Sequence, residues 1–266
     1  MRVSQMNKID PNATNTQIST PRKRVRPLVA LRAVRALIAD KENTAQVFTI
    51  IDALAGGNDA RVFRRFFESE TGARIIAERC ELIDVLSDME TLRSLPEGSL
   101  GRRYHAFMAD QNLSADGLVE ASDLQTRRMN YEGDALLFKN RMRDSHDLWH
   151  VVTGYGRDGL GELSLLAFTY AQTRNRGIGL IVLFGLRAAS KDYPKAGIWR
   201  ALREGYRLGR AAKWLPGADW ERLLPLPLSQ VRHELAIVTQ NIYPGILARI
   251  REMDARRDSE AGFKLA

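Results

Sequence analysis

Residues 144–177 read DSHDLWHVVTGYGRDGLGELSLLAFTYAQTRNRG, and the reading of this stretch decides the fold. It parses as two helices joined by a glycine-rich turn. Asp144 or Ser145 suits the N-cap, and Gly154 the terminator, of a short helix SHDLWHVVT. Leu148, Trp149, Val151 and Val152 make that helix apolar nearly all round, which predicts burial. The loop GYGRDG then turns the chain, and Glu162 falls in the first turn of the next helix.

Outward from this stretch the same three-four spacing recurs. Asn43 is placed to cap a helix through Leu54 that stops at Gly56-Gly57, with Val47, Ile50, Ile51 and Leu54 on one face. Asp59 suits the next cap, ahead of Val62, Phe63, Phe66 and Phe67. Thr71 suits another, with Ile75, Ile76, Ile83 and Leu86 inside. Ser99 and Ser114 mark two more starts, and Leu28 to Ile38 forms a short amphipathic helix carrying Arg32 and Arg35. No run alternates apolar and polar residues with the β-branched enrichment of a strand. The expected fold is all-α: a single compact domain of about ten helices with a metal-binding helix pair and an apolar lipid groove. Its bounds are read as a disordered arm over 1–25, the helical domain over 26–250 and a charged tail over 251–266.

The chain has 266 residues, 44% hydrophobic and 27% charged, enough for a substantial core. A net charge of +8 favours anionic partners without choosing among them. The segment PRKRVRP, with Arg22, Lys23, Arg24 and Arg26, suits anionic lipid, where each basic residue adds roughly 1 kcal/mol of attraction. No helix-turn-helix or basic motif interleaved with aromatics supports nucleic-acid binding, so no nucleic acid is expected. Cys80 is the single cysteine, which excludes an internal disulfide and a cysteine-based zinc site. The longest greasy run, Ile178 to Leu186, is too short to span a bilayer, and the first 20 residues carry no secretory h-region.

Only four histidines occur, and two of them, His146 and His150, project from one helical face a turn apart. An antiparallel helix pair would return Glu162 to both. Two imidazoles and a carboxylate form a three-ligand set with an open position, suited to zinc or iron. Asp147 is open between fourth ligand, hydrogen-bonding partner, general base and a capping box with Asp144. HDLWH also looks like a metallopeptidase helix with Asp in place of Glu, but no strand is visible on which a peptide substrate would pair. Tyr155 and Arg157 lie in the turn beside the site, and Arg157 suits a carboxylate. His105 and His233 have no ligand-spaced neighbours and are expected to be structural.

The motif His146-Asp147-x-x-His150, eleven residues, Glu162 resembles the signature of the Coq-four ubiquinone-biosynthesis family. The likeness extends through residues 146–177, through TAQVFTIIDALAGG at 44–57 and through DWERLLPLPLSQVRHELAI at 219–237, covering about Arg26 to Tyr243. The first 20 residues have no counterpart of that family's mitochondrial targeting peptide, so a bacterial member is expected. The resemblance implies an all-helical protein with a metal, usually taken as zinc, held by His146, Asp147, His150 and Glu162. It implies a metal-dependent lyase that removes the carboxylate at ring carbon one of a polyprenyl hydroxybenzoate, with coupled hydroxylation as a variant. The alternative it carries is a non-catalytic, lipid-binding scaffold that organises the other ubiquinone-biosynthesis enzymes. Either role implies a prenylated benzoate or quinone precursor as ligand and a peripheral place on the inner face of the bacterial cytoplasmic membrane.

Two features are candidates for the prenyl tail. One is the greasy pair Leu163–Phe168 and Ile178–Leu186. The other is the small-residue stripe Gly197, Ala201, Gly205 and Gly209, which reads equally as close helix packing or a homodimer seam. Arg200, Arg203, Arg207 and Arg210 lie on the same helix, as a solvated face or a contact for phospholipid.

Overall fold

Spaced apolar residues do organise the chain into helices. The structure is a computed structural model, and it describes residues 24–39, 43–110 and 132–265. Those residues form fifteen α-helices and one 3-10 turn, with no strand among them. There are more helices than the expected ten because apolar segments break at local turns. Residues 70–94 make three pieces, α4 (Glu70–Glu78), α5 (Leu82–Leu86) and α6 (Met89–Ser94), the first break falling at Arg79 with φ +54°.

The amino-terminal pair is α1 (Pro27–Ala39) and α2 (Thr44–Ala55). Ala33 and Val34 of α1 pack with Ile50 of α2, while Arg32 and Arg35 face solvent, so the amphipathic reading of α1 holds. Arg26 reaches Asp52 of α2 at 2.6 Å. Of the basic segment, Arg22 and Lys23 lie outside the described residues, as do the arm before them and the start expected at Ser114. Three cap assignments change. Asn43 precedes α2 but its side chain makes no capping bond. Helix α3 (Asn58–Phe67) begins before Asp59, which sits in its first turn and pairs with Lys139 at 2.5 Å. Helix α4 is capped by Ser69, whose Oγ accepts from Gly72 N at 3.1 Å, not by Thr71. Ser99 caps α7 (Leu100–Ala109) as expected, accepting from Arg102 N at 3.2 Å.

The main core collects Tyr104, Leu148, Trp149, Leu165, Phe168, Leu202 and Trp220. Its axis is the crossing of α10 (Gly159–Thr173) and α12 (Ile198–Ala211). A Cβ on Gly205 would collide with the Ser164 carbonyl oxygen, and one on Gly209 would lie 2.6 Å from that of Phe168. Ala201 is wholly buried on the same face. The small-residue stripe is therefore used for intrachain packing, which corrects its reading as a tail groove or dimer seam. Leu163, Leu165 and Phe168 are core as well, so that stretch is not an open groove. On α11 (Arg176–Asp192) Ile178 and Ile181 are buried, while Leu183 and Phe184 are exposed. Arg200, Arg203, Arg207 and Arg210 all face solvent from α12. No helix among the described residues is long and apolar enough to cross a membrane.

The last helix, α15 (Tyr243–Leu265), runs on through the charged residues after 250. The backbone N–H groups of Asn241, Ile242 and Tyr243 all donate to the Glu204 carboxylate on α12. One acidic side chain thus satisfies donors that the start of a helix leaves unpaired.

Candidate metal centre

Helix α8 (Gly133–Asp144) leads almost directly into α9 (His146–Thr153). Ser145 between them keeps helical dihedrals, its N–H donating to Arg141 O and its carbonyl accepting from Trp149 N. The Ser145 side chain makes no capping bond, and the Asp144 carboxylate takes Arg143 Nε at 2.7 Å. The expected Asp144 or Ser145 cap is thus replaced by near-continuity of two helices, and the capping-box reading of Asp147 loses its basis. Burial of Leu148, Trp149 and Val152 fixes the rotation of α9 about its axis. Gly154 ends the helix at φ +79°, a left-handed conformation that glycine adopts without a Cβ clash.

The turn is held at three points. The Asp158 carboxylate caps α10 by accepting from Leu160 N and Gly161 N, at 3.2 and 3.0 Å. Tyr243 Oη donates to the same carboxylate and accepts from Gly156 N at 3.1 Å. Gln240 Nε2 donates to Gly154 O at 2.7 Å. This clamp sets where α10 begins, and so where Glu162 stands. Asp158→Ala removes the cap and strands the Tyr243 hydroxyl. We expect a loss of about 1–2 kcal/mol in chemical denaturation, above the usual value for one cap because the Tyr243 bond is lost along with both capping bonds.

Glu162 returns to both histidines, as the helix-pair expectation required. Its Oε1 lies 3.3 Å from His150 Nε2 and its Oε2 lies 3.6 Å from His146 Nε2. The two Nε2 atoms are 3.2 Å apart. Two nitrogens bound tetrahedrally at ~2.0–2.1 Å to one zinc sit roughly 3.3 Å from each other, so these positions fit a single ion. His150 Nδ1 lies 3.0 Å from the Tyr155 carbonyl, which can only accept, so Nδ1 carries a proton and Nε2 is the nitrogen turned to the cluster. Ligand atoms of Asp147 and both histidines lie within 4.8 Å of one another. Asp147 is buried and pairs with Arg157 Nη1 at 3.4 Å. His150 is fully enclosed, whereas His146 and Glu162 keep 35% of their side-chain surface. The cluster is therefore open to solvent beside His146 and Glu162.

Of the two turn residues expected to touch substrate, Arg157 lies beside the cluster through Asp147, and Tyr155 turns its side chain into the core against Tyr243. Phe107, which the sequence did not single out, stacks on His150 at 5.6 Å, and the Arg157 guanidinium lies 5.9 Å from the same ring. Tyr104 is another missed neighbour. Burial, then the negative charges of Asp147 and Asp144, push its phenol well above the ordinary value. Both come from α7, some forty residues upstream, and no local pattern marks them.

Charge in the cluster is coupled. Burial disfavours the imidazolium of His146, but the Glu162 carboxylate more than offsets this and raises its pKa above 6.5. Burial likewise disfavours ionised Glu162, and the two histidines more than offset it, holding it well below 4.5. A raised His146 stabilises the fold below pH 6.5, and that contribution fades as pH rises through the folded value. A lowered Glu162 stabilises it above pH 4.5, and that contribution fades as pH falls through the folded value. For chelator-treated protein, the melting-temperature advantage over Glu162→Gln should therefore peak between pH 4.5 and 6.5. A difference that stays undiminished far above pH 6.5 and far below pH 4.5 would contradict the coupling.

Residues 17–241 match the family model described as Coenzyme Q (ubiquinone) biosynthesis protein Coq4. The chain belongs to the Coq4 family. Among curated Coq4 relatives, the mitochondrial ubiquinone biosynthesis protein coq4 of Aspergillus flavus is 30% identical over 188 residues, 70% of this chain and 63% of that protein. The Podospora anserina protein of the same name is 28% identical over 197 residues, 73% of this chain and 62% of its own length. The chain thus spans less than two thirds of the length of these relatives. A crystal structure of a Nostoc punctiforme protein superposes with a TM-score of 0.59 at 23% identity, covering 80% of this chain and 98% of that one. That likeness establishes a shared fold.

Proposed function

We propose that this Coq4 family member binds one divalent metal, zinc ahead of iron, through His146, His150, Glu162 and Asp147. We propose further that it removes the ring carboxylate of a polyprenyl hydroxybenzoate during ubiquinone biosynthesis. The observation that carries this reading is the convergence of the two Nε2 atoms, 3.2 Å apart, with both Glu162 oxygens beside them. When bound, the metal supplies a Lewis acid that draws electron density from a coordinated oxygen.

The chain's own groups do the remaining work. The Tyr155 carbonyl holds the His150 ring in one orientation. Arg157 keeps Asp147 aimed at the histidines and brings a cation to the site, where it can also meet an incoming carboxylate. Loss of carbon dioxide breaks the ring–carboxyl bond and leaves its electron pair on the ring carbon, which then takes a proton. Water at the open edge beside His146 and Glu162 is the source of that proton in this scheme. The Phe107 ring stacks on His150 and covers one face of that imidazole with apolar surface. A peripheral position on the inner face of the cytoplasmic membrane is part of the proposal, since the substrate class is insoluble in water.

The test is metal analysis of purified protein, followed by incubation of the loaded protein with a short-chain prenyl hydroxybenzoate. One equivalent of metal together with released carbon dioxide is the expected result. Metal bound without carbon dioxide, while the prenylated compound still binds, would replace the lyase with the scaffold reading. Protein that takes up no metal would remove the proposal's foundation.

A further inference from the structure

Beside α9 lies a cavity of about 640 Å³. It is lined by Arg103 and Phe107 of α7, by His150 and the Gly154–Gly156 turn, and by Leu228 and Arg232 of α14 (Leu228–Glu234). No aspartate or glutamate lines it. Arg232 is anchored at its rim, with Nε donating to Val152 O at 2.8 Å and Nη2 to Val151 O at 3.3 Å. Those bonds cap the carbonyl end of α9 and leave Nη1 without an acceptor among the described residues. Helix capping accounts for Arg232, and Arg103 beside it is exposed and makes no ion pair among the described residues. Burial, and then the positive charge of Arg103, lower the Arg232 pKa from its ordinary value. Two guanidinium groups facing one cavity without a carboxylate repel each other, and an anion between them reverses the sign of that interaction.

We propose that this cavity is an anion subsite in which Arg103 and Arg232 hold the oxygens of a carboxylate or phosphate. Phe107 and Leu228 face the apolar remainder of the same molecule. The inference rests on the proposed function only for the choice of a prenyl hydroxybenzoate as natural ligand; the subsite itself is independent of metal chemistry.

The experiment is calorimetric binding of geranyl hydroxybenzoate and of the matching geranyl phenol, which lacks the carboxylate, to chelator-treated and to metal-loaded full-length protein. The expected result is a preference for the acid of about tenfold or more in both forms. Arg103→Gln should bring that ratio close to one while leaving phenol affinity and metal content unchanged. Arg232→Gln is the second variant; because its side chain also holds α9, Arg103→Gln carries the test if Arg232→Gln fails to fold. Competition by millimolar inorganic phosphate would identify phosphoryl groups as the class bound, and its absence would identify carboxylates; both support the subsite. Equal affinity for acid and phenol in the wild type, or a preference untouched by Arg103→Gln, overturns it. Acid preference without carbon dioxide release keeps the subsite and removes the lyase. Carbon dioxide release with an unchanged ratio in Arg103→Gln does the reverse.

Discussion

His150→Ala is expected to weaken metal binding by at least about 100-fold, a larger effect than the 10–100-fold typical of losing a residue that only orients a ligand. The histidine is enclosed, its Nε2 faces the cluster, and its Nδ1 serves the Tyr155 carbonyl. Removing it deletes a proposed ligand, opens a void in a largely buried helix, and leaves that carbonyl without its donor. Part of the effect will therefore be structural, costing about 2–3 kcal/mol of stability. Glu162→Gln separates the two causes. That side chain keeps about a third of its surface, so its replacement leaves no void, yet it loses the negative charge between the histidines. Titration of metal-free protein with zinc against a competing chelator should show both variants far weaker than wild type, with only His150→Ala markedly less stable. Wild-type affinity in Glu162→Gln would remove the carboxylate from the ligand set.

Gly205→Ala is expected to destabilise the protein by about 2–3 kcal/mol, lowering the melting temperature by roughly 5–10 °C. The added methyl meets the Ser164 backbone carbonyl, which belongs to a helix and cannot swing aside as a side chain would. Relief requires α12 to move away from α10, along the longest contact in the core. Because α10 also carries Glu162, we expect the same variant to bind metal less tightly although position 205 touches no ligand. Gly245→Ala is the matched control. Gly245 sits exposed near the start of α15, and a methyl added there would meet nothing within 4 Å, so alanine should stabilise by a few tenths to about 1 kcal/mol. Opposite signs for one chemical change would show that close approach, and not helix propensity, selects glycine at 205.

The helices and the clustering of the proposed ligands were readable because both depend on short-range spacing. Val62, Phe63 and Phe66 recur with the helical period, and His146, His150 and Glu162 are separated by one turn and one tight loop. Caps were read less well. Ser69 and Thr71 both offer a hydroxyl ahead of the same helix, and only the reach of Ser69 Oγ to Gly72 N decides between them. Asp144 lost its capping role because Arg143 beside it takes the carboxylate and α8 runs into α9. The small-residue stripe was a fair sign of close packing, but its partner, Ser164 and Phe168 of α10, lies some forty residues away and is chosen by tertiary contact. Phe107, Arg103, Arg232 and Tyr243 stayed invisible for the same reason: each joins the neighbourhood of the site from a helix distant in sequence.

The bond from His150 to the Tyr155 carbonyl bears on how this site tolerates genetic change. The group that orients the ring belongs to the main chain, so no single codon change at position 155 can delete it. Drift there acts through core packing alone, and Tyr155→Phe should leave the imidazole tautomer as it is. Vulnerability moves instead to the residues that fix the path of the loop, Gly154, Asp158 and Tyr243, none of which bonds to an imidazole ring. A mutational scan scored by metal retention should therefore find a tolerant position immediately beside the ligands and sensitive ones farther away.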